Sequence, residues 1–203
     1  SIIDLSSISQ VVNSDEFSEL LPKYPPPIKP LGLNVSKERN IFQILSEKDI
    51  FLHHPYNSFD PVITLLNEAA EDPDVLSIKI TLYRTAKNSR VIDELLKAAE
   101  NGKHVSVLFE VKARFDEENN FKNGYKLEKA GCYVIYGIGT LKTHTKLLLI
   151  VRREGKKVKN YAHMGTGNYN ETTSKLYTDI GLMTSNKSYT KDALKFFNVI
   201  TGH

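Results

Sequence analysis

Lys142-Thr143-His144-Thr145-Lys146 sets one imidazole between two ammonium groups. An imidazole with an ordinary pKa of about 6.5 is largely neutral at pH 7 and can attack phosphorus. The N–P bond so formed is labile, so the phosphoryl group can be passed on in either direction. Flanking lysines would neutralise charge on the equatorial oxygens as it develops. A histidine that merely packs fits the same string. Other cations fall in a pattern. Lys79 and Arg84 flank the end of one apolar run, Lys112 and Arg114 follow another, and Lys142 and Lys146 follow a third. Arginine offers a fixed fork that matches phosphate oxygens, and lysine a point charge. Each of these residues alone reads equally well as solvated loop charge; the set as a whole points to a phosphate-rich ligand. Gly165-Thr166-Gly167-Asn168 adds a weaker signal, because glycines let backbone approach an anion and any tight turn looks similar.

The elements that would position these residues are legible from periodicity. Asp60-Pro61 opens a helix with an N-cap and proline at the first position. A strand over 75–82 follows, then a helix over 89–100 stopped by Asn101-Gly102, and a strand over 104–111. A helix over 117–130 and a strand over 133–136 complete a βαβαβ alternation, which predicts a parallel sheet with right-handed crossovers. Strands over 146–153 and 158–164 around Glu154-Gly155-Lys156-Lys157 predict an antiparallel hairpin. A strand over 178–184 and a helix over 190–200 end the chain. The expectation is an α/β fold with a mixed sheet flanked by helices. In an open sheet of this kind ligands bind beyond the carboxyl ends of the parallel strands, where the cations converge.

Residues 1–45 have a different texture. Pro25-Pro26-Pro27 within a proline-rich run favours extended backbone, and a short capped helix is expected near Asn13–Leu21. This segment reads as a linker or the tail of a preceding domain, with one catalytic domain over 46–203. The first residue is not Met, which suggests a piece of a longer protein. The chain has 203 residues, 40% of them hydrophobic, enough for a real core. Its net charge of +3 does not by itself imply a polyanion ligand. No apolar run approaches the roughly 20 residues of a membrane-spanning helix, and Ser1-Ile2-Ile3-Asp4 lacks the basic start of a signal peptide. The single cysteine, Cys132, rules out an intrachain disulfide and reads as a core thiol. A reducing cytoplasm is the expected location, with membrane association of the whole protein left open.

Taken in order, several strings resemble the motifs of long-chain polyphosphate kinases. They are His53-His54-Pro55-Tyr56 with Ser58-Phe59, Thr81-Leu82-Tyr83-Arg84, Lys112 to Glu118, Lys142 to Lys146, Gly165 to Asn168 and Leu176-Tyr177-Thr178-Asp179. The resemblance covers about residues 46–203. It implies a phospholipase D-like fold built from two similar halves, of which this chain would be the first. It implies reversible transfer of the terminal phosphate of ATP to inorganic polyphosphate, with ATP, ADP and polyphosphate as partners, no nucleic acid, and a homo-oligomer in the whole protein. Position by position, His144 matches the phosphorylated histidine, with Lys146 beside it in the catalytic string. Arg84 and Arg114 match arginines of the magnesium–phosphate site and would hold Mg²⁺ indirectly, through phosphate oxygens. Lys142 and Asn168 join the phosphate-binding set. Tyr177 matches a nucleotide-contacting tyrosine, though a core strand tyrosine remains the other reading. His53, His54 and His163 also recur in such motifs and are expected to be structural or to support the site residues from behind.

Two rival functions fit the same residues. A phospholipase D-type phosphodiesterase or nuclease shares the His-x-Lys chemistry, but its signature has an aspartate five residues after the lysine, where this chain has Val151. A non-catalytic polyanion-binding module would form no phosphoenzyme and would place aromatic platforms among the cations.

Overall fold

The computed structural model describes residues 5–12, 14–21, 25–36, 38–86, 88–110, 117–138 and 142–202. Seven strands form one mixed sheet: β1 (Ile50–His54), β2 (Val75–Leu82), β3 (His104–Phe109), β4 (Tyr133–Tyr136), β5 (Lys146–Glu154), β6 (Lys157–Gly165) and β7 (Asp179–Thr184). Their spatial order is β1-β7-β6-β5-β2-β3-β4. β2, β3 and β4 run parallel, and all other pairs are antiparallel. Among the described residues six α-helices accompany them: α1 (Leu5–Val12), α2 (Ile41–Glu47), α3 (Asp60–Glu71), α4 (Arg90–Glu100), α5 (Glu117–Lys129) and α6 (Lys187–Thr201). The predicted βαβαβ unit and the following hairpin are both present.

Residue alternation explains the layering. On one face Ile78, Ile80, Val105, Val107, Leu148 and Ile150 meet apolar residues of α3 and α4 in the main core. On the other, Leu147, Leu149 and Ala162 meet Ala193 and Phe197 of α6. The run Leu147-Leu148-Leu149-Ile150 is continuous because β5 is covered on both sides.

Two elements depart from the expectation. α2 crosses residue 45, and its Ile41, Phe42, Ile44 and Leu45 belong to the main core. A capping box holds its start: the Asn40 side chain accepts from the Gln43 N–H while the Gln43 side chain accepts from the Asn40 N–H. The packed unit therefore begins ahead of residue 46. β1 was not anticipated, because its two histidines interrupt an apolar alternation. Ile50, Leu52 and His54 face inward all the same. Upstream, α1 was not expected, and a 3-10 turn at Asp15–Phe17 stands where a short capped helix was expected. The proline-rich segment leans on the turn after β1: the Ile28 N–H donates to the Tyr56 carbonyl at 2.7 Å, and Asn57 Nδ2 donates to the Ile28 carbonyl at 2.9 Å.

Ile80 is fully buried between Val107 and Leu148, its partners on the two neighbouring strands. Ile80→Ala should cost about 2–5 kcal/mol in urea unfolding, transfer and cavity terms combined. A loss under about 1 kcal/mol would mean that this seam of the sheet is not the packed centre.

Candidate active site around His144

Residues 142–145 lie outside any strand ladder, ahead of β5, so side chains hold them. Thr81, buried at the end of β2, donates its hydroxyl to the Thr145 carbonyl at 2.6 Å. The same oxygen accepts from the Leu147 N–H at 3.0 Å. At the end of β3 the buried Glu110 accepts from the Thr143 N–H at 2.6 Å. Lys146 is buried, and its Nζ donates to the His144 carbonyl at 2.6 Å. Three strand ends thus converge on one short stretch of backbone, and His144 itself is exposed.

Tyr83, one residue beyond β2, is the hub of the side chains. Its ring lies edge-on to the His144 imidazole, with centroids 5.5 Å apart and planes at 84°. The ammonium groups of Lys142 and Lys146 each lie 5.5 Å from its centroid. α5 pins this loop: Asn120 Nδ2 donates to the Tyr83 carbonyl at 2.8 Å, and Asn123 Nδ2 donates to the Thr85 hydroxyl at 2.9 Å.

Charge follows geometry. Lys146 first, then burial and Lys142, hold His144 below the usual imidazole range, which favours a neutral, nucleophilic ring. Burial pulls Lys146 down, and the carboxylate of Asp179 opposes it. Asp179 comes from the start of β7 and accepts from the Thr166 hydroxyl at 2.7 Å.

The other expected residues are placed as follows. Lys142 is exposed beside Tyr83, and Arg84 is half-buried directly after it. Lys79 lies within β2, half-buried opposite Leu149 and Ser106, short of the strand end. Lys112 and Arg114 lie outside the described residues. Tyr177 is 60% exposed, so the core-tyrosine reading fails. Cys132 is buried, and burial pushes its thiol up to about 11, consistent with an inert core residue. The glycines of 165–168 answer to packing. A Cβ at Gly165 would sit 2.8 Å from the Ile180 carbonyl, and one at Gly167 would sit 2.7 Å from Asp179 Oδ2. The Thr166 N–H is spent on the Ile180 carbonyl, so the turn is drawn against β7 and offers that amide to no anion.

His163 is buried on β6. Its Nδ1 lies 2.8 Å from the Tyr169 hydroxyl, which donates its proton to the His163 carbonyl. Burial, aided by the nearby His54, lowers this histidine to about 3, so it is neutral and structural.

Thr81, Tyr83 and Asp179 lie in strings that carry the family resemblance but were given no role there, and Glu110 was not singled out. A signal existed for two of them: period two puts Thr81 and Tyr83 on the same side of β2's end.

The model of the polyphosphate kinase C-terminal domain 1 family matches residues 40–203. The chain belongs to the polyphosphate kinase family. It is 51% identical over 182 residues to a polyphosphate kinase of Staphylococcus epidermidis, covering 89% of this chain and 24% of that protein. It is 55% identical over 166 residues to one of Halalkalibacterium halodurans, covering 82% and 24%. The chain thus spans about a quarter of the length of these curated relatives. The crystal structure of the polyphosphate kinase from Porphyromonas gingivalis superimposes with a TM-score of 0.81 at 36% identity, covering 99% of this chain and 33% of that one. Nuc of Salmonella typhimurium, a phospholipase D family member, shares the fold, with a TM-score of 0.59 at 11% identity over 76% of this chain and 94% of its own. The expected phospholipase D-like architecture is therefore present.

Two outcomes follow for this polyphosphate kinase domain. Thr81→Val keeps the shape but strands the Thr145 carbonyl and the Leu147 N–H. It should cost on the order of 1–3 kcal/mol in denaturant unfolding. A neutral result would show that the hydroxyl does not join the two segments. His163 should remain neutral at pH 5 by ring ¹⁵N shifts. Unfolded, it returns to about 6.5, so between that value and about 3 the unfolded chain binds the extra proton. Stability is therefore lost as pH falls through 6.5, by about 2 kcal/mol at pH 5 from this residue alone. A ring that titrates near 6.5 in the folded protein would contradict its burial.

Proposed function

We propose that the chain carries the phosphoryl-accepting histidine of a reversible ATP:polyphosphate phosphotransferase. The supporting observation is an exposed His144, held by three strand ends and pushed toward its neutral form by two adjacent ammonium groups. In the forward direction an imidazole nitrogen of His144 attacks the γ-phosphorus. An N–P bond forms, the bond from that phosphorus to the β–γ bridging oxygen breaks, and ADP leaves. A terminal oxygen of polyphosphate then attacks the same phosphorus and returns the electron pair to the imidazole. Lys142 and Lys146 lie where charge builds on the transferring group. Arg84, and Arg114 by resemblance, would grip the phosphates in fork geometry. Tyr177, exposed beyond the 3-10 turn at Thr173–Lys175, is free of the core and suits a nucleotide contact.

Magnesium does not fit as a resident ion held by these side chains. A guanidinium has no lone pair to offer, and among the described residues no group of three His, Cys, Asp or Glu side chains comes together. The cation would arrive with the substrate, as MgATP.

The phosphodiesterase reading is less well supported. Position 151 is a valine inside β5, packed beside Leu149, Ala162 and α6, and supplies no carboxylate. No described helix is long and apolar enough to cross a membrane.

In the full-length enzyme, ATP labelled at the γ-phosphate should leave an acid-labile, base-stable label on His144, and His144→Ala should abolish both label and polymer. Polymer formation by the alanine variant at near the parental rate would overturn the assignment. Hydrolysis of a phosphodiester, with no label taken up from ATP, would favour the rival.

A further inference from the structure

Among the described residues, Tyr83 is the one aromatic side chain that meets Lys142, His144 and Lys146 together. Its ring meets the His144 imidazole edge-on, and both lysine ammonium groups lie 5.5 Å from its centroid. Lys142 is exposed, and no side-chain carboxylate bonds it among the described residues. A long, solvated lysine chain samples many rotamers, and the ring supplies the preference that returns it to the site. An aromatic face attracts an ammonium group most strongly where water is partly excluded. Lys146 is buried and already donates to the His144 carbonyl, so the ring closes its other side. The imidazole has no hydrogen bond among the described residues; its recorded side-chain contact is with Tyr83.

The ring itself is well anchored. Asn120, fully buried on α5, donates to the Tyr83 carbonyl, and Thr85 two residues on is held by Asn120 and Asn123. Among the described residues the neighbouring charges are Lys142 and Lys146 on the segment, Arg84 next to Tyr83, Glu110 on the Thr143 amide, and Asp179 from β7 acting on Lys146. Tyr83 is the side chain whose ring lies across the imidazole plane, at 84°.

We propose that Tyr83 is a positioning residue, whose ring sets the plane of the His144 imidazole and gathers the Lys142 and Lys146 ammonium groups around it. The claim deepens the phosphohistidine reading, since the nucleophile it positions is the one proposed above. The hydroxyl plays no part, because it has no bonded partner among the described residues; the aromatic face and edge do.

The test needs no ATP. Ring resonances of His144 are recorded in the 203-residue chain and in Tyr83→Phe and Tyr83→Leu, across pH 4 to 9. Tyr83→Phe should match the parent in both the ring-current shift of the His144 protons and the titration midpoint. Tyr83→Leu should lose the ring-current shift and titrate higher, toward an ordinary imidazole, while His163 resonances report an intact fold. In the full-length enzyme the leucine variant should form phosphoenzyme at least about tenfold more slowly, with the phenylalanine variant near the parent. An unchanged His144 spectrum in Tyr83→Leu overturns the proposal. So does a Tyr83→Phe variant that has lost the shift, which keeps the idea falsifiable if the leucine variant does not fold. A phosphoenzyme absent from the parent itself, with the spectra as expected, would sink the phosphohistidine reading and leave the positioning of the imidazole standing.

Discussion

The hydroxyl of Thr81 does the work of a missing piece of β-ladder. β2 and β5 pair backbone to backbone up to Ile80 and Leu148, and beyond that point the chain bearing His144 must leave the sheet to reach solvent. A buried amide and carbonyl left there unpaired would each cost on the order of 1–3 kcal/mol. Thr81 answers both with one side chain, taking the Leu147 proton and giving its own to the Thr145 carbonyl. His144 can therefore sit at the very lip of the sheet without fraying the strand behind it. Everything else at the site is referenced to that splice: Lys146 folds back to the carbonyl next door, and Glu110 catches the amide of Thr143.

The splice also explains how cations can be crowded around a histidine without being swept into solvent. Lys146 is 5% exposed, and burying an ammonium group is unfavourable unless it is hydrogen-bonded and near opposing charge. It has the His144 carbonyl and the field of Asp179. The same burial that disfavours its charge lets that charge act strongly on His144, because less water lies between them. An exposed histidine with two solvated lysines would feel far less. The site thus holds one buried and one exposed cation: Lys146 as a fixed field, Lys142 as an exposed arm over an aromatic ring.

Behind the site, the turn at 165–168 is explained by closeness. β6 and β7 pair through Gly165 and Gly181, and a side chain on Gly181 would sit 2.7 Å from His163 Nε2. This brings Asp179 to the Thr166 hydroxyl and within reach of Lys146. The neutral, buried His163 fills the space beneath. Its role is to pack and to accept the geometry of Tyr169, and its depressed pKa is a consequence of that burial.

Much of this was legible in the amino-acid order alone. Periodicity identified the parallel unit and the hairpin, because alternation and helical spacing are local properties of a chain. The string Lys142–Lys146 showed an imidazole between cations for the same reason, and the ordered motifs pointed to the family. The contacts that hold the site were not legible. Thr81 meets Thr145 across 64 positions, and Glu110 meets Thr143 across 33. No spacing rule links residues so far apart; only the strand order β5-β2-β3 brings them to one edge. β1 was hidden because its inward positions include His54, which the fold satisfies through the Asn57 carbonyl. The glycines looked like an anion cradle until the sheet placed β7 against them. Sequence determined which residues could do the chemistry. Tertiary structure decided which neighbours tune and aim them, because tuning depends on burial and distance, and both exist only once the strands are assembled.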